Sequence, residues 1–172
     1  MNKPQFHIEE FFKNNKKDLS KVIELSLKVK EGIEEIDPFI HQNTSVVCPE
    51  CEKVCCINRH AYYNSEDLIY IYALGLTPHK YKHLDDKEPC QFLSGNGCVL
   101  ERSIRPSGCN WYFCGSLYDS MEKIPKEYTE FDETLRYLAE AWMEMIKEFR
   151  KKYREIAGDE MLVTDIVRNY TL

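Results

Sequence analysis

The organisation of the chain is set by a stretch that begins Cys48-Pro49-Glu50-Cys51-Glu52-Lys53-Val54-Cys55-Cys56. Four more cysteines follow, at Cys90, Cys98, Cys109 and Cys114, so all eight lie within 67 of the 172 residues. No cysteine occurs before or after this stretch. Cysteines that only fill a core would be spread along the chain, so the clustering predicts one shared chemical role for them.

Length and composition predict a single globular domain, residues 1–172. A chain of this size can bury an ordinary hydrophobic core and does not need disulfides to replace one. Hydrophobic residues make up 43% and charged residues 30%, as in soluble globular proteins. The formal net charge of -6 argues against binding a phosphate backbone over a broad surface, so no nucleic-acid partner is predicted.

The N-terminal segment predicts a cytoplasmic protein. Residues 1–10 contain two acids and no apolar core of signal-peptide length, and no apolar run approaches the roughly 20 residues that cross a bilayer. No membrane partner is therefore expected. Cytoplasmic thiols stay reduced, which favours metal binding by dense cysteines over the two alternatives, four disulfides or eight unrelated core cysteines.

Apolar spacing outside the cysteine stretch is typical of helices. From Asp18 the apolar residues recur at helical intervals, and Pro38 predicts that this helix ends at about Asp37. A short buried helix is predicted after Ser65, and the first dozen residues are predicted to form a tethered arm.

A second long helix, residues 127–157, is predicted from an apolar seam that advances by threes and fours and stops before Gly158. The seam is interpreted as facing a core or a partner, not a cofactor. A final short helix is predicted at about residues 160–168. The predicted fold class is therefore mainly α, a single domain whose long N- and C-terminal helices bracket cysteine-rich metal-binding loops, residues 48–114.

The cysteine spacing itself favours soft metal ions. Cys48 and Cys51 are separated by two residues, which lets both thiolates reach one zinc ion or iron–sulfur cluster. Cys55 is close enough to join the same centre. Cys56 is adjacent to it, and because neighbouring side chains usually diverge, one of this pair is expected to turn to a second centre or to stay free. A turn at residues 94–97 is predicted to fold Cys90 and Cys98 towards each other.

Charge limits the number of thiolates at one ion, because desolvated charge must be compensated. Two four-sulfur sites, each holding zinc or a [4Fe–4S] cluster, leave less charge per site than eight thiolates on one zinc ion. Arg59, Arg102 and Arg105 lie within the cysteine stretch and are candidates to offset that charge. Arg105, beside Pro106, is predicted to contact the cofactor.

The motifs, taken in order, resemble the YkgJ-like family, which is described as a zinc- or iron-chelating domain and named for its CxxCxxCC pattern. The matching motifs are Cys48-x2-Cys51-x3-Cys55-Cys56, Pro89-Cys90-x-Phe92-Leu93, Gly97-Cys98 and Arg105-Pro106-x2-Cys109, with Cys114 similar to a cysteine that often follows. This chain has three residues before its double cysteine where the family name has two. The resemblance implies a metal or iron–sulfur site built from these cysteines, in mostly helical surroundings.

The predicted function is that of a metal-binding cysteine-cluster protein with an iron–sulfur cluster, most readily [4Fe–4S], or zinc. All eight cysteines are the predicted ligands, and a redox or protein partner is expected. Members of the similar family are often labelled iron–sulfur oxidoreductases, and flagellin lysine methylases carry a similar domain. Two alternatives therefore stay open: an iron–sulfur oxidoreductase or group-transfer enzyme acting on a protein or other substrate, and a structural zinc module for protein interaction.

Overall fold

The computed structural model describes residues 4–82, 84–95 and 97–158. It is mainly helical, as predicted, with long helices near both ends of the chain. The elements are, in chain order, α1 (Pro4–Asn14), α2 (Ser20–Val47), α3 (Ser65–Ala73), β1 (Leu93–Ser94), β2 (Gly97–Cys98), α4 (Ser107–Trp111), α5 (Gly115–Met121) and α6 (Pro125–Ala157). The helix predicted at about residues 160–168 lies outside the described residues.

The described residues divide into two compact units. Unit 1 contains residues 4–29, 63–79 and 139–158, and unit 2 contains residues 30–62, 80–82, 84–95 and 97–138. Both α2 and α6 therefore contribute to each unit. All eight cysteines belong to unit 2.

Unit 1 has an aromatic core. Its first helix, α1, buries Ile8 and Phe12, and the Phe12 ring stacks on Phe149 with centroids 5.5 Å apart. Where a tethered arm was predicted, the chain from Pro4 onward forms a helix, because these residues present one apolar face. The predicted helix α3 is confirmed: the Asn64 side chain caps it and accepts from the Asp67 backbone N–H.

The predicted long C-terminal helix is confirmed as α6. It begins at Pro125, two residues earlier than predicted, because proline is tolerated in a first helical turn, where its missing N–H has no intrahelical role. It ends before Gly158, which adopts a φ of 80°. Most of the predicted seam is buried, including Leu138, Met145 and Phe149, so the seam faces the core, although its last member, Ile156, is exposed.

The prediction that Pro38 ends the first long helix was wrong. α2 continues through Pro38 to Val47. A proline inside a helix removes one hydrogen bond and crowds the preceding turn, at a cost of about 3 kcal/mol. Burial of Ile36 and Ile40 on both sides of it offsets that cost, because the apolar face continues without a break. As a result, α2 leads directly into the first cysteine.

The predicted turn before Cys98 is confirmed as a short antiparallel hairpin of β1 and β2. Gly97 has a φ of 96°, a conformation that favours glycine. In the part of the chain that the structure describes, no helix combines the length and apolar character that a membrane span requires.

Candidate metal centre

The first cysteine loop begins where α2 ends. Residues Cys48–Glu50 form a 3-10 turn, which the Cys51 N–H closes by donating to the Cys48 carbonyl oxygen at 3.2 Å. This turn follows from the C-x2-C spacing with proline at the second position, which suits the first turn of such a helix. The Cys51 thiol donates to the Lys53 carbonyl oxygen at 3.2 Å. Cys48 and Cys51 therefore lie at the two ends of one short turn.

The second loop pairs with the first through backbone hydrogen bonds. Ile57 and Pro89 form an antiparallel bridge, and the Cys90 N–H donates to the Cys56 carbonyl oxygen at 2.9 Å. In the same region the Asn58 N–H donates to the Glu88 carbonyl oxygen at 3.1 Å. Two cysteines that are far apart in sequence are therefore joined directly at the backbone.

Asn58 reinforces this pairing, and the cysteine pattern gave no indication of it. Its side chain is buried, with 1% of the residue exposed. Its Nδ2 donates to the Asp85 carbonyl oxygen at 2.9 Å, and its Oδ1 accepts from the Gln91 N–H at 2.9 Å. One amide thus connects the Cys56 loop to both sides of the Cys90 loop. The only available signal was an asparagine two residues after the double cysteine.

The β-hairpin then returns the chain to Cys90. Leu93 pairs with Cys98, and the Leu93 N–H also donates to the Cys90 carbonyl oxygen at 2.8 Å. Cys109 approaches from a third loop, on α4, and its thiol donates to the His60 carbonyl oxygen at 3.6 Å. Cys114 directly precedes α5 and accepts backbone hydrogen bonds from that helix.

Burial and neighbouring thiols raise the pKa of three cysteines. Burial, followed by the charges of Cys98, Cys56 and Cys90, raises the pKa of Cys109 to about 12, and Arg105 opposes this rise. Negative charge on these neighbours therefore makes loss of the Cys109 proton harder, so a Cys109 thiolate requires a compensating cation.

Cys56 and Cys48 show the same effect. Cys56 is exposed as a whole residue, but protein atoms around its sulfur partly desolvate it, and this raises its pKa to about 11, with further contributions from the cysteines at positions 55, 48, 90 and 98. The pKa of Cys48 is also raised, by burial and then by the cysteines at positions 55, 114 and 51. The eight side chains are therefore close enough for charge on one to affect another.

Two of the three arginines lie close to these thiols. The Arg105 Nε donates to the Leu100 carbonyl oxygen at 2.9 Å, which holds the side chain where its charge lowers the pKa of Cys109. Arg102 is buried and forms an ion pair with Asp37 on α2, a partner that the sequence did not reveal. Arg59 is exposed at the surface.

The structure records all eight cysteines as free thiols. Cys48, Cys55 and Cys56 are exposed and the other five are half-buried. Among the described residues, no three His, Cys, Asp or Glu side chains already stand where they could hold one metal ion. The donor chemistry nevertheless suits zinc or an iron–sulfur cluster, since thiolate sulfur is their preferred ligand and metal sites commonly assemble only on binding.

Two groups of ring contacts are formed by residues near the cysteines in sequence. The His60 ring lies nearly parallel to Tyr112 with centroids 6.2 Å apart, and the His60 backbone carbonyl accepts from the Cys109 thiol. Tyr81 lies between Tyr62 and Phe92, at centroid distances of 5.1 and 5.4 Å. These rings can shield part of a bound group from water.

Comparison with family models, with curated proteins and with solved structures finds no match to this chain. The function is therefore inferred from the cysteine loops themselves.

Proposed function

We propose that this chain is a metal-binding cysteine-cluster protein of the YkgJ-like kind, whose thiolates hold an iron–sulfur cluster, [4Fe–4S] in the first instance, or zinc. The observation that carries this proposal is the convergence of three separate loops that bear all eight free cysteines in unit 2. Backbone pairing of Cys56 with Cys90 and the contact of Cys109 with the His60 carbonyl oxygen support it.

The electrostatics of the loops support a cationic occupant. Cys109 and Cys56, whose pKa values are raised by burial and by neighbouring cysteines, are unfavourable as thiolates unless positive charge lies close to them. A metal ion or cluster supplies that positive charge, and the Arg105 guanidinium near Cys109 offsets part of the remaining negative charge of the thiolates.

A bound iron–sulfur cluster would supply one-electron transfer, and partial exposure of the thiols favours this role over a sealed structural site. Cys48, Cys55 and Cys56 are all exposed. A redox partner could therefore approach the cluster from solvent. Reduction potential depends strongly on such exposure and on nearby charge.

The test is anaerobic purification followed by analysis of iron, acid-labile sulfide and zinc. Iron and sulfide in equal amounts, with a broad visible absorption that dithionite bleaches, are expected for the cluster; zinc in a colourless protein would support the structural module. Cys51→Ser should lower the metal content and the stability, because metal affinity contributes to folding free energy. Protein that binds none of these ions under reducing conditions would refute the proposal.

A further inference from the structure

Cys56 and Cys90 lie directly opposite each other in an antiparallel pairing of two loops. Two hydrogen bonds flank the bridge between Ile57 and Pro89, and one of them runs from the Cys90 N–H to the Cys56 carbonyl oxygen at 2.9 Å. Residues next to an antiparallel bridge are again opposed, and opposed side chains leave the backbone on the same face. Both thiols therefore start from one side of the pairing, although they are more than thirty residues apart in sequence.

The spacing of such a pair is close to that of a disulfide. Opposed residues of the hydrogen-bonded kind have Cα atoms about 5.5 Å apart, within the range of about 4.4–6.8 Å found in disulfides. Their Cβ atoms, about 4.5–5.5 Å apart, must approach by about 1 Å to reach disulfide distance. The pairing is an isolated bridge, and the Cys90 carbonyl oxygen already turns to accept from the Leu93 N–H, so the two segments are able to make this small approach.

Asn58 fixes the register of the pair. Its Oδ1 accepts from the Gln91 N–H, next to Cys90, and its Nδ2 donates to the Asp85 carbonyl oxygen, both at 2.9 Å. A disulfide between distant residues ordinarily requires the entropy of closing the loop between them. Here backbone and side-chain hydrogen bonds already close that loop, so a bond between the two sulfurs needs little further ordering of the chain.

Cys48 and Cys51 form the competing pair. They lie at the two ends of one short turn, so their sulfurs could also be joined. The Cys51 thiol, however, donates to the Lys53 carbonyl oxygen at 3.2 Å, and a disulfide there would first have to break this bond. The hydrogen bonds that align the opposed pair involve backbone and amide groups, so they remain when its thiols react.

We propose that Cys56 and Cys90 are a redox-active pair that forms a reversible disulfide when no metal occupies their thiols. The oxidant is a small-molecule disulfide. One thiolate of the pair attacks a sulfur of that molecule, whose S–S bond breaks and releases one small thiolate. The second protein thiolate attacks the mixed disulfide, forms the bond within the pair and releases the other small thiolate. Two protein thiols are oxidised, one small disulfide is reduced, and the two protons pass through solvent to the released thiolates.

This pair goes beyond the proposed function, because it forms without metal. Both cysteines are also predicted metal ligands, so oxidation removes two of the eight donors, and bound metal protects both from oxidation. Cys56 is exposed and Cys90 is half-buried, so a small disulfide can reach them. A disulfide that draws its two segments together under strain is more easily reduced, which suits a reversible role.

The test is oxidation of metal-free protein, followed by location of the bond. Protein stripped with a chelator under reducing conditions is incubated with oxidised glutathione, alkylated, and digested with trypsin without reduction. The raised pKa of Cys56, about 11, leaves little thiolate at neutral pH, so the incubation continues until the number of labels is constant. The intact protein should then carry two labels fewer than reduced protein, and mass spectrometry should find peptides 54–59 and 88–102 joined.

Each of these two peptides carries a second cysteine, which supplies matched control variants. Cys55 lies beside Cys56 in the first peptide, and Cys98 lies with Cys90 in the second. Cys55→Ser and Cys98→Ser should keep the two peptides joined, whereas Cys56→Ser and Cys90→Ser should lose the joined product. Loss of that product from either control variant would overturn the proposal.

Two results with wild-type protein would also overturn the pair. One is a main product that joins Cys48 with Cys51. The other is a mixture of disulfides equal to that of protein oxidised in urea, because the preference must come from the folded backbone. Purified wild-type protein that binds no metal would instead refute the proposed function and leave this disulfide expected, so the two failures are distinguishable.

Discussion

Removal of the Asn58 side chain tests whether the pairing of the cysteine loops supports metal binding. Asn58→Ala deletes the bonds to the Asp85 carbonyl oxygen and the Gln91 N–H. A buried polar group that loses its partner costs about 1–3 kcal/mol. Asp85 is exposed and can bond to water instead, so its contribution lies at the low end, whereas Gln91 is half-buried. We expect a total loss of about 2–3 kcal/mol in the free energy of unfolding.

The assay is urea unfolding of metal-loaded protein, together with metal affinity from competition with a chelator. Asn43→Ala is the matched control, because Asn43 is also buried in unit 2 and makes two side-chain bonds, to the Phe39 carbonyl oxygen and from the Ser120 hydroxyl, neither between cysteine loops. Both variants should be destabilised, but only Asn58→Ala should bind metal more weakly. Equal metal affinity in the two variants would refute the reasoning.

Three further outcomes are expected. Pro38→Ala should raise the free energy of unfolding by about 2 kcal/mol. About 3 kcal/mol of helix strain is relieved, and part of this gain is offset because the unfolded chain becomes more flexible. Pro125→Ala, in the first turn of α6, should change the free energy of unfolding little. Asp37→Asn should lower the free energy of unfolding in urea by about 1–3 kcal/mol, because Arg102 stays buried without its carboxylate partner. The loss is limited because Asp37 is partly exposed. Unchanged stability would contradict a structural role for the pair. Metal affinity, measured by chelator competition, should rise with pH through neutrality. Cys109 has a pKa of about 12, so its thiol is protonated at neutral pH and must release its proton to bind metal. An affinity that does not change with pH would exclude Cys109 as a ligand.

Helical regions were predictable from the sequence because their apolar periodicity is a local property. The seam of α6 and the stop at Gly158 follow from side-chain spacing and from glycine's tolerance of positive φ. The same reasoning gave a wrong helix end at Pro38. The rule that proline ends a helix considers only local sequence and does not include the burial of Ile36 and Ile40 on either side. Tertiary packing, which the sequence does not display, decided that boundary.

Within the cysteine stretch, the hairpin before Cys98 followed from its glycines. The pairing of Cys56 with Cys90 was not predictable, since it depends on hydrogen bonds between segments more than thirty residues apart. Nor was the role of Asn58, because a buried asparagine has no signature outside its fold. Spacing identifies candidate ligands, whereas long-range backbone contacts determine which of them meet.

The backbone ladder between Cys56 and Cys90 is made of hydrogen bonds and contains no sulfur–metal bond. If the cysteines hold an ion as proposed, its loss would leave the hydrogen bonds of this ladder in place and would change mainly the arrangement of the exposed thiols. Refilling would then require only local rearrangement. We expect such a protein to survive repeated cycles of emptying and reloading, instead of being degraded and resynthesised after each loss.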